Sequence, residues 1–271
     1  MNAPMKTYTR LKLELESPVS RLTLDRPDVR NAFDDRLIGE LLDALGELRA
    51  AQEAAPDQAP RAVVLTGAGQ TFCAGADMNW MRRSITYTRD ENEADATRMA
   101  AMLRELDELP IPTIARVNGA ALGGGMGLLA CCDIVVSVDT AQFGFTEARL
   151  GIAPAVISTF VLPKIGVAAA RRYFLTAEIF GPAEAKTMGL VHEVAPAGEL
   201  DQAVDRFVTA LKGNGPRAVS AAKQIIRESL GRTRKESIES TVHVIAALRA
   251  SPEGQEGLGA FLEKRAPSWK R

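Results

Sequence analysis

Histidine and cysteine are scarce in this chain of 271 residues: two of the first, His192 and His243, and three of the second, Cys73, Cys131 and Cys132. None falls in a CxxC or HExxH pattern, so no metal site is expected. An odd cysteine count, with two of the three adjacent, argues against a disulfide framework. G-x-S-x-G is absent, as is Gly-Lys-Ser/Thr, which sets aside the serine acyl-enzyme and the phosphate-binding P-loop. No apolar run approaches the roughly 18 residues of a membrane span. The opening MNAPMKTYTR lacks the apolar centre of a secretory signal, so a cytoplasmic protein is expected. With Lys plus Arg at 33 and Asp plus Glu at 34, the net charge of -1 offers no nucleic-acid footprint.

What is present is an ordinary globular balance, 46% hydrophobic and 25% charged, enough for one substantial core. LKLELESPVSRLTLDRP alternates apolar and polar residues around Ser17-Pro18, which predicts a hairpin. Helical periodicity then runs from about Asp34 to Glu53, and RAVVLTG reads as a buried strand ending at Gly67. After the loop AGQTFCAGADMNWM, the charged stretch at 82–95 is expected to be mobile. A helix follows to about Leu109, stopped by Pro110 and Pro112. TIARV and DIVVSV are further strands, with a helix to about Cys132 between them. This alternation predicts an α/β fold, mainly a parallel sheet with right-handed crossovers. Beyond Pro182 four helical segments follow, beginning ELDQAVDR, PRAVSAAK, KESIESTV and PEGQEGLG. The expected division is a core over residues 1–195 and a helical region over 196–271.

The stretch AALGGGMGLLACCD, residues 120–133, places three consecutive glycines and a fourth between a strand and a helix. The dinucleotide spacing G-x-G-x-x-G fails, since its last glycine would fall on Leu128 or Ala130. Bare backbone at a helix start lets a guest approach free N–H groups at the positive end of the helix dipole. It equally permits close packing of helix on strand. A second such loop, TFCAGADMNWM, also follows a buried strand. Two loops of this kind could aim two donors at one oxygen, and Ala76 and Gly124 are the residues whose N–H groups would do so.

RPDVRNAF, AVVLTGAGQTFCAGADMNWM, PTIARVNGAALGGG, CCDIVVSVDTAQFGFTEARLGIAP and PAEAKTMGLVHEV, in that order, resemble the enoyl-CoA hydratase/isomerase (crotonase) superfamily from about residue 10 to the end. The resemblance implies a superhelix of ββα turns with a C-terminal helical trimerisation region, assembling as trimers or paired trimers. It implies an acyl-CoA thioester as substrate, with coenzyme A part of that substrate and no separate cofactor, metal, nucleic acid or membrane. By position, the oxyanion donors are those of Ala76 and Gly124. Arg30, Asn31 and Ala32, with Ala74, Asp77 and Met78, match segments that line the CoA, and Lys264 and Arg265 match a basic pair that can approach its phosphates. Neither histidine is assigned a role.

Of the two glutamates usual in the family's hydratases, the second matches Glu147 in FGFTEARLG, while the first falls on Gly127. A single acid/base group leaves hydration open beside isomerisation, dehydration, or binding of acyl-CoA without catalysis. GADMNWM and TEARLGIAPAVISTFVLPKIG are similar to methylglutaconyl-CoA hydratases and related branched glutaconyl-CoA hydratases. A glycine at 127 is expected to leave room for a β-branched chain, and Arg149, Arg82 or Arg83 to pair with its distal carboxylate.

Overall fold

The computed structural model describes residues 7–56 and 58–270. As the alternating pattern predicts, β1 (Leu11–Glu14) and β2 (Val19–Leu24) pair antiparallel, Leu11 opposite Leu24 and Leu13 opposite Leu22. The first helix, α1 (Asp35–Ala54), starts where the Asp34 carboxylate accepts the Leu37 N–H at 2.7 Å. Its stripe of Leu37, Ile38, Leu41, Leu45 and Leu48 is buried.

From there the chain repeats a unit of long strand, short strand and helix. The first unit is β3 (Ala62–Gly67), β4 (Thr71–Cys73), α2 (Met78–Ser84) and α3 (Arg89–Asp107). The second is β5 (Thr113–Val117), β6 (Ala120–Leu122) and α4 (Gly124–Cys131). The third is β7 (Ile134–Val138), β8 (Phe143–Gly144) and α5 (Ala155–Thr176), followed by β9 (Ile179–Phe180), α6 (Pro182–Thr187) and β10 (Glu193–Ala195). The long strands, with β1, β2 and β10, form a six-stranded sheet in the order β1-β2-β3-β5-β7-β10. The short ones form a second sheet, β4-β6-β8-β9. This is the crotonase-type ββα spiral that the resemblance implied. β3 reads AVVLTG and is buried at every position, as a parallel strand covered on both faces requires.

Two expectations need correction. The helix expected to follow the charged stretch at 82–95 begins inside it: α2 runs through its start, and α3 starts at Arg89. A capping box starts that helix, Thr88 accepting from the Glu91 N–H while the Glu91 carboxylate accepts from the Thr88 N–H at 2.7 Å. The single sheet is really two, because strands of two or three residues carry no readable alternation. The 22-residue α5 was also not legible, since Pro163 and Gly166 interrupt it and Gly166 sits at φ 72°.

After β10, α7 (Leu200–Lys212) packs on the six-stranded sheet through Leu200, Ala203, Val204 and Val208. The last helices, α8 (Pro216–Ser229), α9 (Arg234–Ala250) and α10 (Pro252–Leu262), pack in sequence on one another. Lys223 of α8 pairs with Asp133 at 2.7 Å, and the Glu253 carboxylate accepts the N–H groups of Arg217 and Ala218 at 2.9 Å. Among the described residues no helix is long and apolar enough to cross a membrane.

Candidate active site

β4 and β6 are parallel neighbours, with Thr71 opposite Ala120 and Cys73 opposite Ala121, so the loops that follow them run side by side. They touch. A Cβ on Gly125 would lie 2.5 Å from the Cys73 carbonyl oxygen, and one on Gly75 would lie 3.0 Å from that of Leu122. Gly75 and Gly123 also turn the chain at φ 91° and 49°, where other residues are strained. The glycines therefore do serve close packing, and they serve the donors as well. The Phe33 N–H donates to Gly75 O and the Asp77 N–H to Phe33 O, both at 2.7 Å, which pins the backbone on either side of Ala76. The N–H of Ala76 itself donates to no acceptor among the described residues, nor does that of Gly124, the first residue of α4. Both residues line one cleft of about 330 Å³.

Beneath the first loop lies an ion cluster that sequence reasoning missed. Arg26, 6% exposed, reaches Asp77 at 2.8 Å and Asp34 at 3.2 Å. Asp77 also caps α2, accepting the Asn79 N–H at 2.7 Å. Asn31 is buried at φ 57°; its amide donates to Ala68 O and Thr71 O and accepts the Arg26 N–H. Asp77 and Asn31 therefore brace the loop with side chains that are fully engaged, and Ala32 is buried beside them. Arg30 and Met78 are exposed at the surface of the same region, with Ala74 half-buried between the loops. Arg26 of RPDVRNAF has Asp34 nearby in sequence, but Asp77 is 51 residues further along the chain, so no local signal pointed to the cluster.

Glu147 opens a short 3₁₀ turn, Glu147–Leu150, and lines the cleft with Ala76 and Gly124. It stands against the glycine loop: a Cβ on Gly123 would lie 3.4 Å from its Oε1. Its Oε2 is buried without a hydrogen-bond partner. Burial pushes its carboxyl above the ordinary glutamate range, opposed only by a bond to its own backbone N–H. A carboxyl that burial makes hold its proton more tightly than usual, beside two free N–H donors, suits proton delivery next to a developing oxyanion.

The remaining walls are mostly apolar. Phe33, Met99 and residues 155–157 of α5 face the cleft, and α2 contributes Trp80. Asp95 of α3, the last residue of the stretch expected to be mobile, also lines it. No Arg, Lys or His is among the described residues that do. The three arginines expected to meet a distal carboxylate are not brought together there. Arg149 donates to Ala177 O at 2.5 Å, Arg83 pairs with Asp35 at 2.5 Å, and exposed Arg82 donates to the Asn79 side chain at 3.2 Å. Arg265 is held by Glu256 and Glu263, while Lys264 is exposed at φ 53°. His192 accepts the Val135 N–H at 3.0 Å, and burial lowers its pKa, so it is a neutral structural group. The thiols of Cys73 and Cys132 are pushed up to about 12 by burial, which leaves them inert.

The room expected beside Gly127 is already filled. A Cβ there would lie 2.5 Å from Ile157 Cγ2 and 3.3 Å from Leu103 Cδ1. Gly127→Glu should therefore destabilise the protein, overpacking alone costing about 1–3 kcal/mol. Ile157→Ala in the same chain should recover part of that loss. Urea unfolding of the single and double variants checks both.

A ββα spiral that sets two unengaged N–H groups and the partner-poor Glu147 carboxyl in one cleft has the parts to hold an oxyanion beside a proton donor. Residues 14–271 match the enoyl-CoA hydratase/isomerase family, and the chain belongs to it. It is 31% identical over 264 residues to the 2,3-dehydroadipyl-CoA hydratase of Escherichia coli, covering 97% of this chain and 99% of that one. Among solved structures it is similar to an enoyl-CoA hydratase from Shewanella pealeana, at 38% identity, TM-score 0.90 and 96% of each chain. Pseudomonas aeruginosa AtuE matches at 35% identity and TM-score 0.88, over 97% of this chain and all (100%) of that one.

Proposed function

We propose that the protein adds water across the double bond of an enoyl-CoA thioester, with the thioester oxygen between the N–H groups of Ala76 and Gly124 and with Glu147 moving the proton. The observation that carries this reading is the pair of free donors beside a buried, partner-poor carboxyl in one cleft. Coenzyme A enters as part of the substrate, so no separate cofactor is called for. Exposed Phe261 and Leu262 at the end of α10, 80% and 78% accessible, together with Ile226, Ile238 and Val242, support self-association through the C-terminal helices as a trimer or paired trimers.

Within that class, the finer reading is a branched glutaconyl-type substrate such as 3-methylglutaconyl-CoA. Its support is the resemblance of GADMNWM and TEARLGIAPAVISTFVLPKIG to hydratases of that group, together with a relative named for 2,3-dehydroadipyl-CoA, whose chain also bears a distal carboxyl. Of the three arginines, Arg82, next in sequence to cleft-lining Met81, has neither a carboxylate nor a backbone-carbonyl partner among the described residues and is the one we assign to such a group. Incubation with crotonyl-CoA and with 3-methylglutaconyl-CoA tests both levels. Products one water heavier support hydration, and products of unchanged mass support isomerisation. Arg82→Ala should lower kcat/KM for the acidic substrate by about tenfold, the worth of roughly 1.4 kcal/mol, and leave crotonyl-CoA unaffected. Equal losses on both substrates remove Arg82 from the reading.

A further inference from the structure

Hydration needs a proton delivered to Cα and a water activated toward Cβ. The position after the glycine loop that could carry a second carboxylate is Gly127, and Ile157 and Leu103 occupy the space above it. The cleft nevertheless holds a second carboxyl. Asp95 lines it from α3, on the face that also presents Asn92 and Met99 at helical spacing. Beside Asp95 on the cleft wall is Trp80, 8% exposed, whose indole N–H is buried without an acceptor at full hydrogen-bond geometry.

Resting on the hydratase reading above, we propose that Asp95 is the second catalytic carboxylate, holding and deprotonating the water that attacks Cβ while Glu147 supplies the proton to Cα. The step balances. A water O–H breaks, its oxygen bonds to Cβ and its proton passes to Asp95. The electron pair of the double bond moves onto the thioester oxygen between Ala76 and Gly124. The enolate then takes the proton of the Glu147 carboxyl at Cα. Asp95 returns its proton to solvent and Glu147 regains one, so the net change is one water added.

The surroundings divide the roles. Burial raises the pKa of both carboxyls, but different groups oppose it. Around Glu147 there is only its own backbone N–H. Around Asp95, the Trp80 indole and the cations of Arg98, on the same helix, and Arg83, on α2, favour the anion; Asp35, at the start of α1, disfavours it. The indole and the cations around Asp95 favour its anion and suit it to the role of base, while Glu147, with only its own backbone N–H, is suited to that of acid.

Full-length wild type, Asp95→Asn and Glu147→Gln should be compared in two assays: hydration of crotonyl-CoA and 3-methylglutaconyl-CoA, and exchange of the α-protons of butyryl-CoA in D₂O. Exchange needs a proton shuttle at Cα and no attacking water. Asp95→Asn should lose about 10²-fold or more in kcat for hydration, with KM little changed and the acidic limb of the pH profile gone, yet retain exchange. Glu147→Gln should lose both. Hydration by Asp95→Asn at the wild-type rate overturns the proposal, and so does loss of exchange along with hydration, which would make Asp95 a support of the fold. A wild type that hydrates neither substrate removes the hydratase reading itself, and this inference with it.

Discussion

Glu147→Gln should reduce hydration of crotonyl-CoA by about 10²–10⁴-fold, and the same substitution should make the folded protein more stable at neutral pH. Loss of activity follows because the amide can neither give nor take the proton at Cα. The gain in stability follows from burial. In the unfolded chain Glu147 titrates near the ordinary value of 4.5, and in the folded protein burial raises it. Between those two pH values the unfolded chain has released a proton that the folded one keeps, so wild-type stability falls as pH rises through the folded pKa. Glutamine has no such term. The advantage of Glu147→Gln should therefore be absent below about pH 4.5, grow through the folded pKa and level off above it. Urea midpoints of the two proteins across pH 4 to 9 read this directly. In the activity profile the same group has the opposite visibility, since its protonated form is the working one and turnover should decline above its raised pKa.

Gly125→Ala should disable the site from behind. The added methyl would stand 2.5 Å from the Cys73 carbonyl oxygen and 3.0 Å from Cys73 Cβ, both part of a buried strand end. Backbone has to give, and the loop that moves is the one carrying the Gly124 N–H. Loss of one oxyanion donor costs about 2.7–4 kcal/mol of transition-state stabilisation, which corresponds to a fall in kcat of about 10²–10³-fold. CoA contacts away from the loops should persist, so the fall belongs in kcat more than in KM. Steady-state kinetics on crotonyl-CoA separates the two. A parallel fall in thermal stability is expected, because the same contact joins β4 to α4.

The parts of this molecule that were legible in sequence are those with long patterns. The hairpin about Ser17-Pro18, the stripe of α1 and the buried run of β3 each state their structure through repeated apolar spacing. Glu147, Ala76 and Gly124 were found through motifs and meet in one cleft. What was hidden was short or depended on distance. Strands β4, β6 and β8 are two or three residues long, yet their pairing sets the two loops side by side. The onset of α3 was masked by its charge, although Thr88 and Glu91 carry its capping signal, and with it went Asp95. Arginine direction is not written in a sequence either. Arg149 lies two residues from Glu147 and still turns to the Ala177 carbonyl. The expected room at Gly127 fails for the same reason, since Ile157 comes from a helix thirty residues further along the chain, and only packing shows that it fills the space.

If two backbone N–H groups hold the thioester oxygen, the carbonyl stretch of bound substrate reports it. Isotope-edited infrared difference spectra of carbonyl-labelled crotonyl-CoA should be recorded on Glu147→Gln, whose slowed turnover should leave substrate bound, and on the Gly125→Ala/Glu147→Gln double variant. The carbonyl band should move to lower frequency on Glu147→Gln and return toward its aqueous position in the double variant. A band on Glu147→Gln at the same frequency as in water would contradict it, and the oxyanion site would have to be sought elsewhere in the fold.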